Sequence, residues 1–243
     1  MAARLLIKQG HRVVLHGRSA ARATDALKQA PGAEAAVHGD FTSLKQVRTL
    51  ANQVNDLGAF DTILHNAGIG DDETSRTLTE DGFPIVFGIN VLAPYVLTAL
   101  IQPPKRLIYM TSGMQLGADG ETSLSDLLWV KRRWQGSTAY AESKLLHSML
   151  AFWVARRWQD VQANTVEPGW VATRMGGPSA SDDLGQAHLT QSWLAVSDAE
   201  QAKVTGKNFY HMALKPSNPD ALKPELQDVL VKECGRLSDV HLT

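Results

Sequence analysis

Short apolar runs alternate with longer amphipathic stretches along almost the whole chain. Runs of strand length lie at 12–16, 35–38, 62–65, 106–110, 161–166 and 206–210. Between them, apolar residues recur at helical spacing over 20–29, about 42–56, 83–100 and 138–158, and a last helix is expected over about 220–234. Thr42 or Ser43 can cap the second of these helices. The pattern predicts one α/β domain over 1–243, with a doubly wound parallel sheet and helices on both faces.

Composition and charge narrow the classes of protein to which the chain can belong. It has 243 residues, of which 44% are hydrophobic and 20% charged, as in an ordinary globular protein. Lys and Arg number 24 against 25 Asp and Glu, so the chain offers no basic field for nucleic acid and no polybasic membrane anchor. The single cysteine, Cys234, excludes an internal disulfide framework, and the eight histidines show no metal-ligand spacing. We therefore expect a cytoplasmic protein without a metal site.

Two segments could indicate a signal sequence or a membrane span. The first eight residues combine a positive charge with apolar residues, but they are too short for a signal sequence and lack a small-residue cleavage site. The apolar run at 83–101 is almost long enough to span a bilayer. Pro84, Gly88, Asn90 and Pro94 interrupt that run, so a buried helix is the better interpretation and no membrane span is expected.

Candidate chemistry lies where a parallel sheet binds ligands, at the carboxyl ends of its strands. Ser112 follows the strand at 106–110, and Tyr140 and Lys144 are four residues apart, so they share one helix face. An ammonium beside a phenol favours the phenolate, which predicts that Lys144 lowers the pKa of Tyr140. Ser112 would then hold a substrate oxygen while Tyr140 transfers its proton. Taken alone, a tyrosine and a lysine at this spacing also fit an ordinary solvated helix face.

Further motifs in order make the pattern specific, and with them the chain resembles the short-chain dehydrogenase/reductase family over nearly its whole length. His65-Asn66-Ala67-Gly68 is similar to the family's turn after the fourth strand, with His65 in place of its first asparagine. Asn90 matches the asparagine that supports the family's proton relay, and Ser112, Tyr140 and Lys144 match its catalytic set. The segment from Pro168 to Thr173 resembles the family's nicotinamide-binding segment. The resemblance implies a Rossmann-like fold and a catalytic site made of Asn90, Ser112, Tyr140 and Lys144. It also implies that the cofactor is contacted by Asn66, Ala67, Gly68, Tyr140, Lys144, Pro168, Gly169, Val171 and Thr173.

The strand at 12–16 corresponds to the family's second strand, and the charge of the residues that follow it favours NADP over NAD. An NAD-dependent enzyme of this kind carries an acidic residue there, whereas this chain has Arg18, with Arg22 one turn further on. A guanidinium binds a 2′-phosphate in a bidentate manner, although Arg18 could also be a surface arginine. Asp40, followed by Phe41, matches the family position that meets the adenine amino group, and Asp40 could also cap a helix.

The family's opening strand and glycine-rich turn have no counterpart in the sequence. Residues 2–10 resemble the later part of the family's first helix, and only about half of a βαβ unit of ~30 residues is present. We therefore expect an N-terminally truncated fold whose missing strand is central, between the strands that lead to Arg18 and Asn66. The chain could begin at an internal methionine, be an inactive fragment, or bind the cofactor weakly through an altered edge.

The expected function is NADP-dependent interconversion of a carbonyl and an alcohol on a small, hydrophobic substrate. Two lengthened segments, 113–139 and 174–205, carry apolar residues that could line a substrate pocket, or could pack into the core or a subunit contact. The resemblance further implies a homodimer or homotetramer. The alternative is an inactive fragment, or a dinucleotide-sensing or scaffolding protein with the same fold.

Overall fold

A computed structural model describes residues 1–242, and Thr243 lies outside the described part. The strands are β1 (Val14–Gly17), β2 (Ala35–His38), β3 (Thr62–His65), β4 (Arg106–Met110), β5 (Gln162–Glu167), β6 (Asn208–Tyr210) and β7 (Ala213–Leu214). The α-helices are α1 (Ala2–Lys8), α2 (Ala20–Gln29), α3 (Leu44–Asp56), α4 (Ile85–Phe87), α5 (Ala93–Leu100), α6 (Gly120–Ser125), α7 (Gly136–Arg157), α8 (Leu189–Val196) and α9 (Pro224–Ser238). The predicted strands are all present, and β7 is an addition. That one domain extends over 1–243 stays a prediction.

The strands form two separate sheets. β1 pairs with β2 in parallel, and β3, β4, β5 and β6 form a second parallel sheet that ends with the antiparallel strand β7. A cavity of about 640 Å³ lies between the two sheets, lined by residues of β1 and β3. No strand among residues 1–242 pairs with the free edge of either β1 or β3. The split falls where the sequence predicts a missing central strand, and the α/β, Rossmann-like class is confirmed.

Side chains of β4 alternate between the two faces of the larger sheet. Leu107 and Tyr109 join the core cluster that contains α3, α5, α7 and α9. Ile108 and Met110 join a second cluster with Leu6 of α1 and residues of α8. Helices therefore cover both faces, as the doubly wound class requires.

The helix expected over 83–100 is interrupted by a π-helical turn. Short α4 leads into a π-helical turn at Gly88–Leu92, and α5 follows from Ala93. Pro94 has no N–H to donate to the carbonyl four residues earlier, at Asn90, which favours the wider turn at this point. Within the described residues no helix is long and apolar enough to cross a membrane.

Three other helix predictions need correction at their ends. Ser43 is the N-cap of α3, but neither it nor Thr42 supplies a side-chain cap; the Leu44 N–H instead donates to Asp81, at 2.7 Å. The last helix begins at Pro224 and not near 220, because Pro219–Leu222 forms a separate 3-10 turn. Helix α7 begins two residues earlier and ends one residue earlier than the prediction of 138–158, and it is buried over most of its length.

Candidate active site

Three of the predicted motifs lie side by side at the carboxyl end of the larger sheet. Strand register places His65 opposite Tyr109 and Met110 opposite Val166. The segments that follow these strands therefore adjoin one another, and they carry Asn66-Ala67-Gly68, Ser112 and Pro168-Gly169. This is the position at which parallel α/β sheets bind ligands.

Helix α7 brings Tyr140 and Lys144 to the same end of the sheet. Both residues are buried, and the Lys144 Nζ donates to the Met110 carbonyl at 3.0 Å. The same nitrogen lies 5.5 Å from the centre of the Tyr140 ring. A Cβ atom on Gly68 would lie 3.5 Å from this nitrogen and 3.0 Å from Asn90 Oδ1, so the chain passes close to both. Glycine permits that close approach because it has no side chain.

Asn90 is fully buried in the π-helical turn and joins three parts of the site. Its Oδ1 accepts from the Ile69 N–H at 2.9 Å, and its Nδ2 donates to the Ile69 carbonyl at 3.1 Å. Nδ2 also lies 3.0 Å from the Ser143 hydroxyl, which in turn donates to the Tyr140 carbonyl. Asn90 therefore fixes the loop after β3 against the turn of α7 that bears Tyr140. A π-helical turn inside a helix is often found at a functional site.

Burial sets the protonation of both titratable residues. It lowers the pKa of Lys144 to about 8, because the buried ammonium is poorly solvated. Burial also raises the pKa of Tyr140; hydrogen bonding with Ser112 lowers it by less, and the Asp71 carboxylate adds to the increase. The predicted lowering of the Tyr140 pKa by Lys144 is thus not what this structure has. The physical reason is that burial, the largest contribution, disfavours the charged phenolate by more than hydrogen bonding with Ser112 favours it.

The end of β1 and the turn after β2 carry the residues predicted to meet the adenosine half of the cofactor. Arg18 is exposed and forms no ion pair among residues 1–242, whereas Arg22 lies 3.8 Å from Asp25. Asp40 Oδ1 accepts from both the N–H and the hydroxyl of Thr42, each at 2.9 Å. The alternative that Asp40 caps a helix is wrong, because the N-cap of α3 is Ser43 and Asp40 forms these bonds within the preceding turn. Its Oδ2 has no partner in the described part of the chain.

The turn after β5 holds the predicted nicotinamide segment in a constrained shape. Gly169 has a φ of 90°, which favours glycine, and a Cβ there would lie 2.7 Å from Asp182 Oδ2. Asp182 accepts from the Trp170 N–H at 2.8 Å and from the Tyr210 hydroxyl at 3.2 Å. Val171 is buried and Pro168 partly so, whereas Thr173 is exposed and accepts from the Gly176 N–H. Sequence reasoning missed Asp182, since nothing in its spacing marks it.

A second missed residue is Glu167, the last residue of β5. It is buried and accepts from Lys215 Nζ at 2.5 Å and from Asn208 Nδ2 at 2.9 Å. A Cβ on Gly113 would lie 3.3 Å from Glu167 Oε2, so this ion pair adjoins the backbone just after Ser112. An acidic residue directly after the predicted strand at 161–166 was the available signal.

The first lengthened segment packs into the protein instead of lining a large pocket. Leu127 and Trp129 are buried, and the ring of Trp129 packs edge-to-face on Trp134. Arg132 connects this segment to α7 through Glu142, at 2.6 Å. No group of three or more potential metal ligands occurs within residues 1–242.

Comparison with known proteins agrees with the fold. A family model described as enoyl-(acyl carrier protein) reductase matches residues 1–206. The chain belongs to the short-chain dehydrogenase/reductase family, whose members are oxidoreductases that act on CH–OH groups with NAD(P). It is 39% identical to an uncharacterized oxidoreductase of Emericella nidulans, over 98% of this chain and 92% of that protein. It is also 36% identical to the short-chain dehydrogenase chyC of Penicillium rubens, over 99% of this chain and 93% of that protein.

A solved structure shares the fold at lower sequence identity. An uncharacterized protein from Mycobacterium paratuberculosis superposes with a TM-score of 0.83 and 22% identity, covering 100% of this chain and 89% of that one. At this identity the likeness shows the fold alone.

Proposed function

We propose that the protein is an NADP-dependent oxidoreductase that interconverts a carbonyl and an alcohol on a small, hydrophobic substrate. The observation that carries this proposal is the grouping of Ser112, Tyr140, Lys144 and Asn90 at the carboxyl end of β3 to β5. Bound NADPH would supply the hydride for carbonyl reduction, and bound NADP would accept it in alcohol oxidation. Cytoplasmic location and a homodimeric or homotetrameric state belong to the same proposal.

The protein's own residues would manage the substrate oxygen and its proton. Because burial raises the pKa of Tyr140, its phenol is protonated at neutral pH and can act as the acid in carbonyl reduction. The Ser112 hydroxyl would hold the oxygen beside it. Lys144, with a pKa lowered to about 8, exchanges its proton close to neutral pH and can resupply Tyr140. Asn90 would keep the loop after β3 in place during this transfer.

The two ends of a dinucleotide fit the residues that are present. At the adenosine end, the unpaired Arg18 guanidinium suits a 2′-phosphate, and Asp40 Oδ2 can accept from an adenine amino group. At the nicotinamide end, Gly68 allows close approach to Lys144, and Gly169 gives the turn from Pro168 to Thr173 its shape. We propose that Phe41, Asn66, Ala67, Val171 and Thr173 complete these contacts.

Titration of the chain with NADPH and NADH, followed by nicotinamide fluorescence, tests the cofactor part of the proposal. We expect tighter binding of NADPH, and a loss of that preference by about tenfold in Arg18→Gln, since one charged hydrogen-bonding partner of the phosphate is removed. Arg22→Gln is the matched control, because Arg22 lies near Asp25. Equal affinity for both cofactors in the unaltered chain would contradict the NADP assignment.

A second candidate is a dinucleotide-binding scaffold without catalysis. The split sheet and the cavity of about 640 Å³ favour it, because they interrupt the sheet between Arg18 and Asn66. NADPH binding with no turnover of any ketone, aldehyde or alcohol in a broad panel would support this candidate. Turnover that depends on Tyr140 would exclude it.

A further inference from the structure

The turn after β2 leaves one backbone donor unused. The Gly39 N–H donates to the Gly17 carbonyl, and the Asp40 N–H donates to Gln46 Oε1. The Thr42 N–H donates to Asp40 Oδ1, and the Ser43 N–H to the Asp40 carbonyl. Within residues 1–242, only the N–H of Phe41 has no acceptor in this turn. Phe41, whose N–H is a free donor, therefore directly follows Asp40, whose Oδ2 is a free acceptor.

Such a donor and acceptor pair complements the edge of adenine, which presents an acceptor at N1 and a donor at its 6-amino group. Two hydrogen bonds to one flat edge require that the turn hold both groups at a fixed separation. A residue that fixes the turn can therefore affect adenine binding without contacting the base.

His16 of β1 fixes this turn by two contacts. Its Nε2 lies 2.8 Å from the Gly39 carbonyl, and its ring stacks on that of Phe41, with centroids 4.8 Å apart and planes 17° from parallel. A carbonyl only accepts, so Nε2 carries the hydrogen. Burial lowers the pKa of His16, which keeps the ring neutral at neutral pH. The imidazole thus ties the backbone before Asp40 and the side chain of Phe41 to the same strand that leads to Arg18.

We propose that His16 is a positioning residue for adenine recognition: through Gly39 and Phe41 it sets the spacing of the Phe41 N–H and Asp40 Oδ2. The proposal rests on the proposed use of NADP. His16 does not contact the base; the close packing of α3 on Gly39 supports the same turn from the other side. A Cβ on Gly39 would lie 2.9 Å from the Gln46 carbonyl, so the turn is held between His16 and α3.

The test compares NADPH with its hypoxanthine analogue, which replaces the 6-amino group by a carbonyl and carries a hydrogen on N1. The ratio of the two dissociation constants reports on the adenine edge alone, whereas a general loss of structure weakens both ligands equally. We expect the unaltered chain to prefer NADPH by about tenfold or more, as two base-edge hydrogen bonds imply. His16→Leu removes both contacts and should reduce this preference several-fold, and His16→Phe, which keeps the stacked ring, should reduce it less. His38→Gln is the matched control, since the His38 side chain is exposed and makes none of these bonds.

The ratio of the two dissociation constants either supports or overturns the role of His16. A reduced preference in His16→Leu, with the control unchanged, supports the proposal. An unchanged preference, or equal weakening of both ligands, overturns the role of His16 while leaving the proposed function in place. Failure of the unaltered chain to bind either ligand overturns the proposed cofactor use and this inference with it.

Discussion

Arg132 connects two buried carboxylates, and its removal should destabilise the protein strongly. Its guanidinium donates to both oxygens of Glu142, at 2.6 and 3.0 Å, and to Asp126 Oδ2 at 3.3 Å. Only 2% of the Asp126 side chain and 6% of the Glu142 side chain are exposed. The two carboxylates differ in the hydrogen-bond donors that they keep when Arg132 is substituted. Asp126 keeps the backbone N–H groups of residues 130–132, whereas Glu142 has no other partner in the described structure.

The perturbation is Arg132→Met, which keeps much of the packing on Trp129, whose ring centre lies 4.1 Å from the guanidinium carbon. Because the buried carboxylate of Glu142 loses both of its hydrogen-bond donors, which belong to Arg132, we expect a loss of about 3 kcal/mol in the free energy of unfolding. The double variant Arg132→Met/Glu142→Leu removes the uncompensated charge and should recover at least about half of that loss. The assay is urea unfolding followed by tryptophan fluorescence, arranged as a double-mutant cycle.

A loss below about 1 kcal/mol in Arg132→Met would refute this reasoning, because it would mean that the carboxylate of Glu142 is solvated. Additive effects of Arg132→Met and Glu142→Leu in the double-mutant cycle would also refute it. Since Glu142 lies two residues after Tyr140 on α7, a large coupling would also show that the 126–135 segment supports the helix that bears Tyr140 and Lys144.

Two further predictions concern the buried lysine and a close contact of α3. The pKa of Lys144 is about 8 in the folded protein and near 10.4 in an unfolded chain, so stability should rise with pH between these values. Lys144→Met should therefore be about 3 kcal/mol more stable than the unaltered chain at pH 7, since each pKa unit is worth about 1.4 kcal/mol, and the difference should disappear by about pH 10.5 in pH-dependent urea unfolding; equal stability at pH 7 would contradict this. Gly39→Ala should cost about 1–3 kcal/mol, because the new Cβ would lie 2.9 Å from the Gln46 carbonyl. Gly117→Ala, where a Cβ meets nothing within 4 Å, is the matched control and should cost little. Urea unfolding measures both variants.

The sequence predicts the strands and the main site because both leave local signals. Apolar runs such as the one before Thr111 are bounded by polar or turn residues, and the end of each strand places its following motif at one edge of the sheet. Ser112, Tyr140 and Lys144 can thus be assigned to one place without any structure. The contacts that hold the site have no such signal. Asp182 bonds to a backbone group 12 residues away, and Glu167 pairs with Lys215 across 48 residues.

Features that depend on the surroundings of a residue also escaped prediction. The π-helical turn at Asn90 follows from the combination of Pro94 with the packing of its neighbours, and residue spacing alone indicates a regular helix. The direction of the Tyr140 pKa is set by burial and by Asp71, which lies far from it in sequence. The proximity of Lys144 suggests the opposite direction. Burial is a property of the whole fold, so pairwise reasoning from the sequence gives the wrong sign.

Replacement of Tyr140 by phenylalanine tests the central claim most directly. The change removes only the hydroxyl that would transfer the proton and leaves the ring beside Lys144. On a ketone or alcohol that the unaltered protein turns over with NADP, kcat should fall by about a hundredfold or more, as is usual when a general acid or base is lost. The dissociation constant of NADPH should change by less than about threefold. Turnover by Tyr140→Phe comparable to that of the unaltered protein, with cofactor binding intact, would contradict the assignment of Tyr140.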